Sequence, residues 1–494
     1  MEYVLRPRGR NDRISSQDTS RSRPTAPTDP PRYPMTVHDP TTEVTPQRIV
    51  IDDPTPAGIA GAIGRMIRNG ELVPGDRLPT VRDLSAQLGV SPATVSYGWK
   101  ALSRSGLVVS RGRSGTFVAD GAIAPDVPRV SRTATMARTH GSIGLDLSKG
   151  SPDPELLPEL KAALSNVAER AATTSYHDHP VVPELGDLLR TRWPSKAQAL
   201  TVVDGALDAV TRSLQAVTRF GDRVIVEDPT FPQFLDLLDT LGLQHIPVPI
   251  DRHGPDPDAF ARAMAQAPTV ALLQPRAHNP TGVSMTASRA RDLARAVRGT
   301  RCVVIEDDHS GAAVAAPDIS LGRWLPDQVV HVRSFSKSHG PDLRIAAMTG
   351  PREVIDRVTA TRMLGPGWTP RLLQRVLYEL LTDEASVAAV DNARAAYRAR
   401  RAALVEALAD KGIDVGGTDG LNVWVPVSDE RNALIHLAAN GIQVAPGDPF
   451  IVEPQRGGDH VRVTIATLRD DVERVAATLA AAASGNQADF YPLR

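Results

Sequence analysis

Five short apolar runs between residues 199 and 337 each break off into polar or turn-forming residues. Leu200 to Val203 runs into Asp204-Gly205-Ala206-Leu207, and Val224 to Val226 into Glu227-Asp228-Pro229-Thr230-Phe231. Val270 to Leu273 leads to Asn279-Pro280-Thr281-Gly282, Val303 to Ile305 to Glu306-Asp307-Asp308-His309, and Val329 to Val332 to Ser334-Phe335-Ser336-Lys337. Short apolar runs alternating with helical stretches predict an α/β unit with a mainly parallel sheet over 146–485. In such a sheet the strand ends share one edge, and ligands bind there.

Each break suits a particular task. Lys337 is a candidate to form a Schiff base with an aldehyde, with Ser334, Ser336 and Arg344 holding a phosphate on the same molecule. A phosphate is multiply charged, and arginine and hydroxyl donors supply several hydrogen bonds to it. Backbone N–H groups at Gly205, Ala206 and Leu207 open a helix and could add to that grip. Phe231 could stack on a flat ring, and the Asn279 amide could bond a ring hydroxyl. Asp307 could pair with a protonated pyridine nitrogen, making the ring an electron sink. Taken singly these signals are ordinary: a loop lysine, a core aromatic, a helix cap or a metal carboxylate. No persuasive metal-ligand set stands near the carboxylates.

Together, Asn279-Pro-Thr-Gly, Asp307 and Ser334-Phe-Ser-Lys337 with Arg344 resemble the fold-type I aminotransferase family of pyridoxal 5′-phosphate (PLP) enzymes. The resemblance implies that Lys337 bonds the cofactor aldehyde, Asp307 pairs with the ring nitrogen, Asn279 contacts the ring oxygen and Phe231 stacks on the ring. It implies that Ser334, Ser336 and Arg344 grip the phosphate, and that Arg462 binds a substrate or effector carboxylate. His309 stands where the family usually has tyrosine; an imidazole could still bond the ring oxygen. Leu207 stands where glutamine is common, and residues 175–182 lack the usual glycine after proline.

Residues 51–119 read as a separate module. Ile59, Ile63, Met66 and Ile67 recur at helical spacing. Thr80 precedes a short helix that Gly89 stops, and Ser91 caps a second helix with Pro92 in its first turn. Two helices joined by a glycine turn make a helix-turn-helix, and 107–109 with 116–118 make a hairpin wing. Between Asp83 and Asp120 there is no acidic residue, while Lys100, Arg104, Arg111 and Arg113 are present. Concentrated positive charge is what phosphate contacts on double-stranded DNA require. The run Leu78 to Leu84, then Val90-Ser91 to Thr94-Val95, resembles the winged helix-turn-helix of the GntR family. That resemblance implies that Arg82, Ser91, Thr94 and the wing around Arg113 and Gly115 face DNA. Pro92 replaces the arginine many members carry.

The rest of the chain bounds the reading. Net charge is −1 over 494 residues, so positive charge is local to the head. A single cysteine, Cys302, allows no internal disulfide, which fits a reducing cytoplasm. No run is long and apolar enough for a membrane span, and the basic N-terminus lacks a signal-peptide core. Residues 1–50 and 486–494 read as tails, the first disordered, with Met35 a second candidate start; 120–145 reads as a linker. Both halves in this order resemble the MocR subfamily of GntR regulators. The expectation is a cytoplasmic, homodimeric transcription regulator that senses PLP, an amino-compound effector, or both. The alternatives are a catalytically active aminotransferase with an accessory head, and a body that has lost PLP and only dimerises. Residual transaminase half-reactions are compatible with the expected residues.

Overall fold

The computed structural model describes residues 51, 54–68, 70–104, 107–119, 132, 144–170, 175–196, 198–453 and 458–484. The expected tails, nearly all of the linker and the Arg113 side chain lie outside the described residues.

The head is built from α1 (Pro56–Arg68), α2 (Val81–Leu88), α3 (Pro92–Arg104), β1 (Val108–Ser110) and β2 (Thr116–Val118). Its local signals act as chemistry requires. Thr80 Oγ1 accepts from Asp83 N (3.2 Å) and donates to Asp83 Oδ2 (2.7 Å), fixing the start of α2. Gly89 takes a left-handed conformation, φ +67°, which ends α2 at no steric cost. Ser91 Oγ accepts from Thr94 N at 3.2 Å, so α3 starts one residue later. Ile59, Ile63, Ile67, Leu84, Val95 and Leu102 are fully buried, each contributing roughly 1.5–3 kcal/mol of burial. β1 and β2 pair antiparallel, and residues 75–78 add a third extended segment: Leu78 N donates to Thr116 O (2.8 Å) and Val118 N to Asp76 O (2.8 Å). The wing therefore has a backing that its own hairpin sequence did not reveal.

The body has β3 (Leu145–Asp146), β4 (Ala199–Val203), β5 (Arg223–Asp228), β6 (Gln244–Asp251), β7 (Gly254–Pro255), β8 (Val270–Leu273), β9 (Val303–Asp308), β10 (Val329–Ser334) and β11 (Ala346–Gly350). It continues with β12 (Asn422–Pro426), β13 (Ile442–Gln443), β14 (Ala445–Pro446) and β15 (His460–Thr464). The main sheet runs β4-β11-β10-β9-β8-β5-β6-β7. The pairs from β10 through β9, β8 and β5 to β6 are parallel, while β11 is antiparallel to both neighbours. Residues 335–345 return the chain from β10 to β11, too few for a crossover helix, so an antiparallel partner results. Alternate residues of the central strands enter different cores: Val224, Val226, Leu272 and Ile305 on one face, Ile225, Ala271, Leu273 and Val304 on the other. Burial of both faces is why these strands read as unbroken apolar runs. A smaller sheet, β12-β15-β14, shares a core with the helices Glu384–Ala409 and Val472–Ser484. Among the described residues no helix is long and apolar enough to cross a membrane.

Close packing of α1 on α3 depends on one small residue. A Cβ at Gly98 would lie 3.1 Å from Ile59 Cγ2 and 3.3 Å from Pro56 O. Gly98→Val is expected to separate these helices at a cost of about 1–3 kcal/mol. Hydrogen–deuterium exchange should then accelerate in 56–68 and 92–104, with the body unchanged.

Candidate functional site

Asp307 is the next-to-last residue of β9 and points into a cavity of about 410 Å³. Lys337, Asn279, Phe231, His309 and Arg462 line the same cavity, together with Ser148, Gly150, Gln274 and Asn422. Asp307 Oδ2 accepts from Gln274 Nε2 at 2.9 Å, while its Oδ1 has no hydrogen-bond partner. Burial pushes this carboxyl up to about 7, the Gln274 hydrogen bond and Lys337 opposing and Asp308 adding to the rise.

Lys337 lies just beyond β10, and its Nζ donates to Gly150 O. Burial and then Arg462 lower its amine to about 8, against the pull of Asp307. A lysine so placed is partly neutral near physiological pH, as a nucleophile toward an aldehyde must be. Gly150 has φ +61°, and a Cβ there would sit 3.4 Å from Arg462 Nη1. That position thus needs glycine for its conformation and to leave room for the guanidinium.

Arg462, on β15, is 2% exposed and has only neutral partners within hydrogen-bond reach. Its Nη2 donates to Ser148 O, its Nη1 lies 3.4 Å from Asn279 Oδ1, and its Nε has no partner. Burial lowers it to about 10. A buried cation bonded only to neutral oxygens suits an incoming carboxylate. His309 Nδ1 stands 3.8 Å from Asp307 Oδ2 without a hydrogen bond; burial and Lys337 lower the ring to about 4, so it is neutral at pH 7. Phe231 is the N-cap of the helix Pro232–Thr240 and meets Phe234 edge-on at 5.4 Å.

The residues expected at a phosphate do not line this cavity; they gather beside it at the same sheet edge. Ser334, Ala346 and Val203 are register partners across β10, β11 and β4. Ser334 Oγ accepts from Ser336 N at 3.2 Å. Gly205 caps the helix Ala206–Val217, and a Cβ at Gly205 would lie 3.3 Å from Arg344 Nη2. The exposed Arg344 guanidinium, whose Nη2 donates to Asp204 O at 3.5 Å, thus stands beside the start of that helix, so a cation and the N–H groups of a first helical turn lie at one place where an anion could meet both. A larger, more open depression of about 960 Å³, lined by Trp193, Thr201, Thr349 and Arg352 among others, contains none of these groups. Chemistry rather than volume selects the smaller cavity. No group of acidic, histidine and cysteine residues among the described residues could hold a metal.

The head presents Arg82, Ser91, Lys100 and Arg111 as exposed residues, with Thr94 half-buried. Ser91 and Thr94 hydroxyls lie 2.9 Å apart, so they serve the cap as well as the surface. Arg111 stacks over Phe117, 5.1 Å from its ring centroid. Sequence reasoning missed Arg77: it is exposed, and a Cβ at Gly115 would lie only 3.0 Å from its Nε. It also missed Gln274, Ser148, Gly150 and Asn422, which reach the cavity from segments without a recognisable motif.

The residues of the site fit the cofactor that such bodies hold, because a free buried carboxylate oxygen, a lysine and a partnerless guanidinium nitrogen converge without a ligand to satisfy them. Comparison with known proteins agrees. Residues 142–479 match the family described as aminotransferase class I and II, and residues 56–118 match the bacterial regulatory proteins of the gntR family. The chain is 34% identical to the vitamin B6 salvage pathway transcriptional repressor PtsJ of Salmonella typhimurium, over 85% of this chain and 96% of that protein. It is 29% identical to the regulator TauR of Rhodobacter capsulatus, covering 79% and 88% of the two chains. Among solved structures, a double mutant of Thermus thermophilus aspartate aminotransferase superposes with TM-score 0.61 and 25% identity, over 71% of this chain and 94% of that one. LysN, an α-aminoadipate aminotransferase of the same species solved with N-(5′-phosphopyridoxyl)-L-leucine, gives 0.64 at 22% identity, covering 72% and 95%. A helix-turn-helix head joined to an aminotransferase body, with this extent of similarity to regulators built the same way, makes the chain a member of the MocR subfamily of GntR-type transcription regulators, whose body is a fold-type I, PLP-type aminotransferase domain.

Proposed function

We propose that this regulator alters its grip on operator DNA in response to PLP, to an amino compound bound with it, or to both. The observation that carries the reading is the convergence of Lys337, the free Asp307 Oδ1 and the buried Arg462 in one cavity of a chain with a basic winged head. PLP, when bound, supplies an aldehyde electrophile and an electron-withdrawing ring. Lys337 Nζ is the group that would engage its aldehyde carbon, and Asp307 Oδ1 would accept from its ring nitrogen. Asn279 and the neutral His309 meet the ring hydroxyl, and Phe231 covers a ring face. Ser334, Ser336, Arg344 and the N–H groups of Gly205, Ala206 and Leu207 hold the phosphate. Arg462 holds the carboxylate of an amino-compound effector. PtsJ, named for vitamin B6 salvage, supports PLP itself as one signal. Arg82, Arg77, Lys100, Arg111, Arg113, Ser91, Thr94 and the turn at Gly115 face double-stranded DNA.

The working unit in this reading is a cytoplasmic homodimer. Leu160 and Leu164 lie on one face of the helix Leu160–Arg170 and are exposed, as are Tyr176 (87%) and Leu364 (91%). Apolar side chains of this size left in water favour a covering surface, and a second copy supplies one by symmetry. For coupling, a ligand must bind two states of the protein with different affinity. The same residues would support steady-state amino transfer, so that assay separates turnover from sensing.

Purified protein titrated with PLP is expected to gain a visible absorption band that Lys337→Ala lacks. Affinity for an operator fragment selected from random duplexes should change with PLP, or with amino compounds added after it. Indifference to both would refute the sensor reading. Arg111→Ala should weaken operator binding across sequences and lower the salt slope by about one; an unchanged slope would count against a wing–phosphate contact.

A pH prediction follows from Asp307. Without cofactor the folded carboxyl keeps its proton up to about 7, whereas an unfolded aspartate loses it near ~3.9. The folded state binds more protons across that window, so this group's contribution to stability falls as pH rises through it. Asp307→Asn removes the penalty. The melting temperature of cofactor-free variant minus wild type should widen from about pH 5 to about pH 7 and level off above. A difference independent of pH would refute the assignment.

A further inference from the structure

Gln274 follows the last residue of β8 and is 3% exposed. It makes three hydrogen bonds, each to a different part of the site. Its Nε2 donates to Asp307 Oδ2 at 2.9 Å, and its Oε1 accepts from Asn279 N at 3.0 Å. Its own backbone N donates to Glu227 Oε2 at 2.8 Å. The amide can sit only one way round. A backbone N–H only donates, so reversing the amide would break the bond from Asn279 N, and that to Asp307 as well whenever its carboxylate is ionised.

The consequence concerns Asp307. Its two oxygens are chemically alike, yet Gln274 occupies Oδ2 and leaves Oδ1 as the one without a partner. On its other side the same amide holds the backbone of Asn279, whose Oδ1 lies 3.4 Å from both Arg462 Nη1 and Asn422 Nδ2. Beneath lies Glu227, fully buried, whose carboxyl burial raises well above its usual range. His278 Nε2 approaches that carboxyl at 3.4 Å, and burial keeps this imidazole neutral. Gln274 therefore rests on an uncharged layer, and the charge in its reach is that of Asp307.

We infer that Gln274 is a positioning residue for the cofactor: its amide aims Asp307 Oδ1 into the cavity and fixes the Asn279 loop against it. The two groups assigned to the ring nitrogen and the ring hydroxyl are thereby tied through one side chain. The inference rests on the cofactor reading above and adds a residue that touches neither the ring nor the effector in that reading.

The test uses the full chain titrated with PLP, followed by the visible band and by cofactor dissociation across pH. Gln274→Met keeps the side-chain length and removes both amide bonds. It is expected to weaken cofactor binding about tenfold or more, because hydrogen bonds to a charged group are lost, and to shift the pH midpoint of the band. Gln274→Glu keeps the acceptor for Asn279 N and can donate to Asp307 Oδ2 only while protonated. Two carboxylates this close resist joint ionisation, so affinity relative to wild type should be near unity at low pH and fall as pH rises. Unchanged affinity and band midpoint in Gln274→Met would overturn the inference. So would an equal loss of affinity and melting temperature at every pH in both variants, the signature of a merely structural role. If Gln274→Met fails to fold, the pH-dependent ratio for Gln274→Glu decides alone. Absence of any band in wild type, by contrast, would refute the cofactor reading and this inference with it.

Discussion

An aspartate buried with one oxygen unmatched is the constraint around which the body is arranged. Asp307 Oδ1 has no protein donor among the described residues, and a buried carboxylate oxygen left without a donor costs on the order of 1–3 kcal/mol. A ligand that brings an N–H to that oxygen supplies the donor the protein does not. The neighbouring cations share the condition. Burial lowers Lys337 to about 8 and Arg462 to about 10, and Arg462 also disfavours charge on Lys337. The three groups thus leave one another incompletely matched: a ring nitrogen and an aldehyde answer Asp307 and Lys337, and a separate carboxylate answers Arg462.

The sheet decides which of three consecutive carboxylates takes this role. Strand residues alternate faces, so Glu306 and Asp308 point away from Asp307. Glu306 is bonded by the Ser320 hydroxyl and Leu321 N, and burial raises it to about 7. Burial would raise Asp308 too, but Arg276 and Arg333 outweigh it and hold it well below the carboxylate range. Arg276 Nη2 reaches Asp308 Oδ2 at 2.8 Å, and Asp318 Oδ1 lies 2.7 Å from Arg276 Nη1. Two of the carboxylates therefore brace the strand end, and the middle one is free for a ligand.

What could be read beforehand followed from local chemistry. Thr80, Gly89 and Ser91 act on their own few residues, so their caps were legible without tertiary knowledge. The strand-end motifs were legible because a parallel sheet brings its strand ends to one edge whatever the connecting helices do. Contributions that depend on approach between distant segments were not. Gly150 meets Lys337 and Arg462 across more than a hundred residues of sequence, and nothing in Ser148-Lys149-Gly150 announces it. Gln274 has the same character: glutamine after an apolar run is unremarkable until Asp307 and Asn279 arrive on either side. Arg77 lay outside the basic stretch that marked the head, because it reaches the wing through a third extended segment that the hairpin pattern does not contain.

One contact bears on how a filled cavity could reach the head. Arg132 lies in the stretch between the two folded parts, and its Nη1 pairs with Asp236 Oδ1 at 3.0 Å and Asp239 Oδ2 at 2.9 Å. Both aspartates belong to the helix Pro232–Thr240, whose N-cap is Phe231. That helix therefore carries the cavity's aromatic wall at one end and the two partners of Arg132 about one and a half and two turns along. The pair is partly buried, and Asp239 also faces His245 at 3.2 Å, so its geometry is held from two sides. Partial burial makes such a pair less screened than a surface ion pair, though still of modest strength. A helix shared by two tasks in this way needs no long chain of side-chain contacts to connect them.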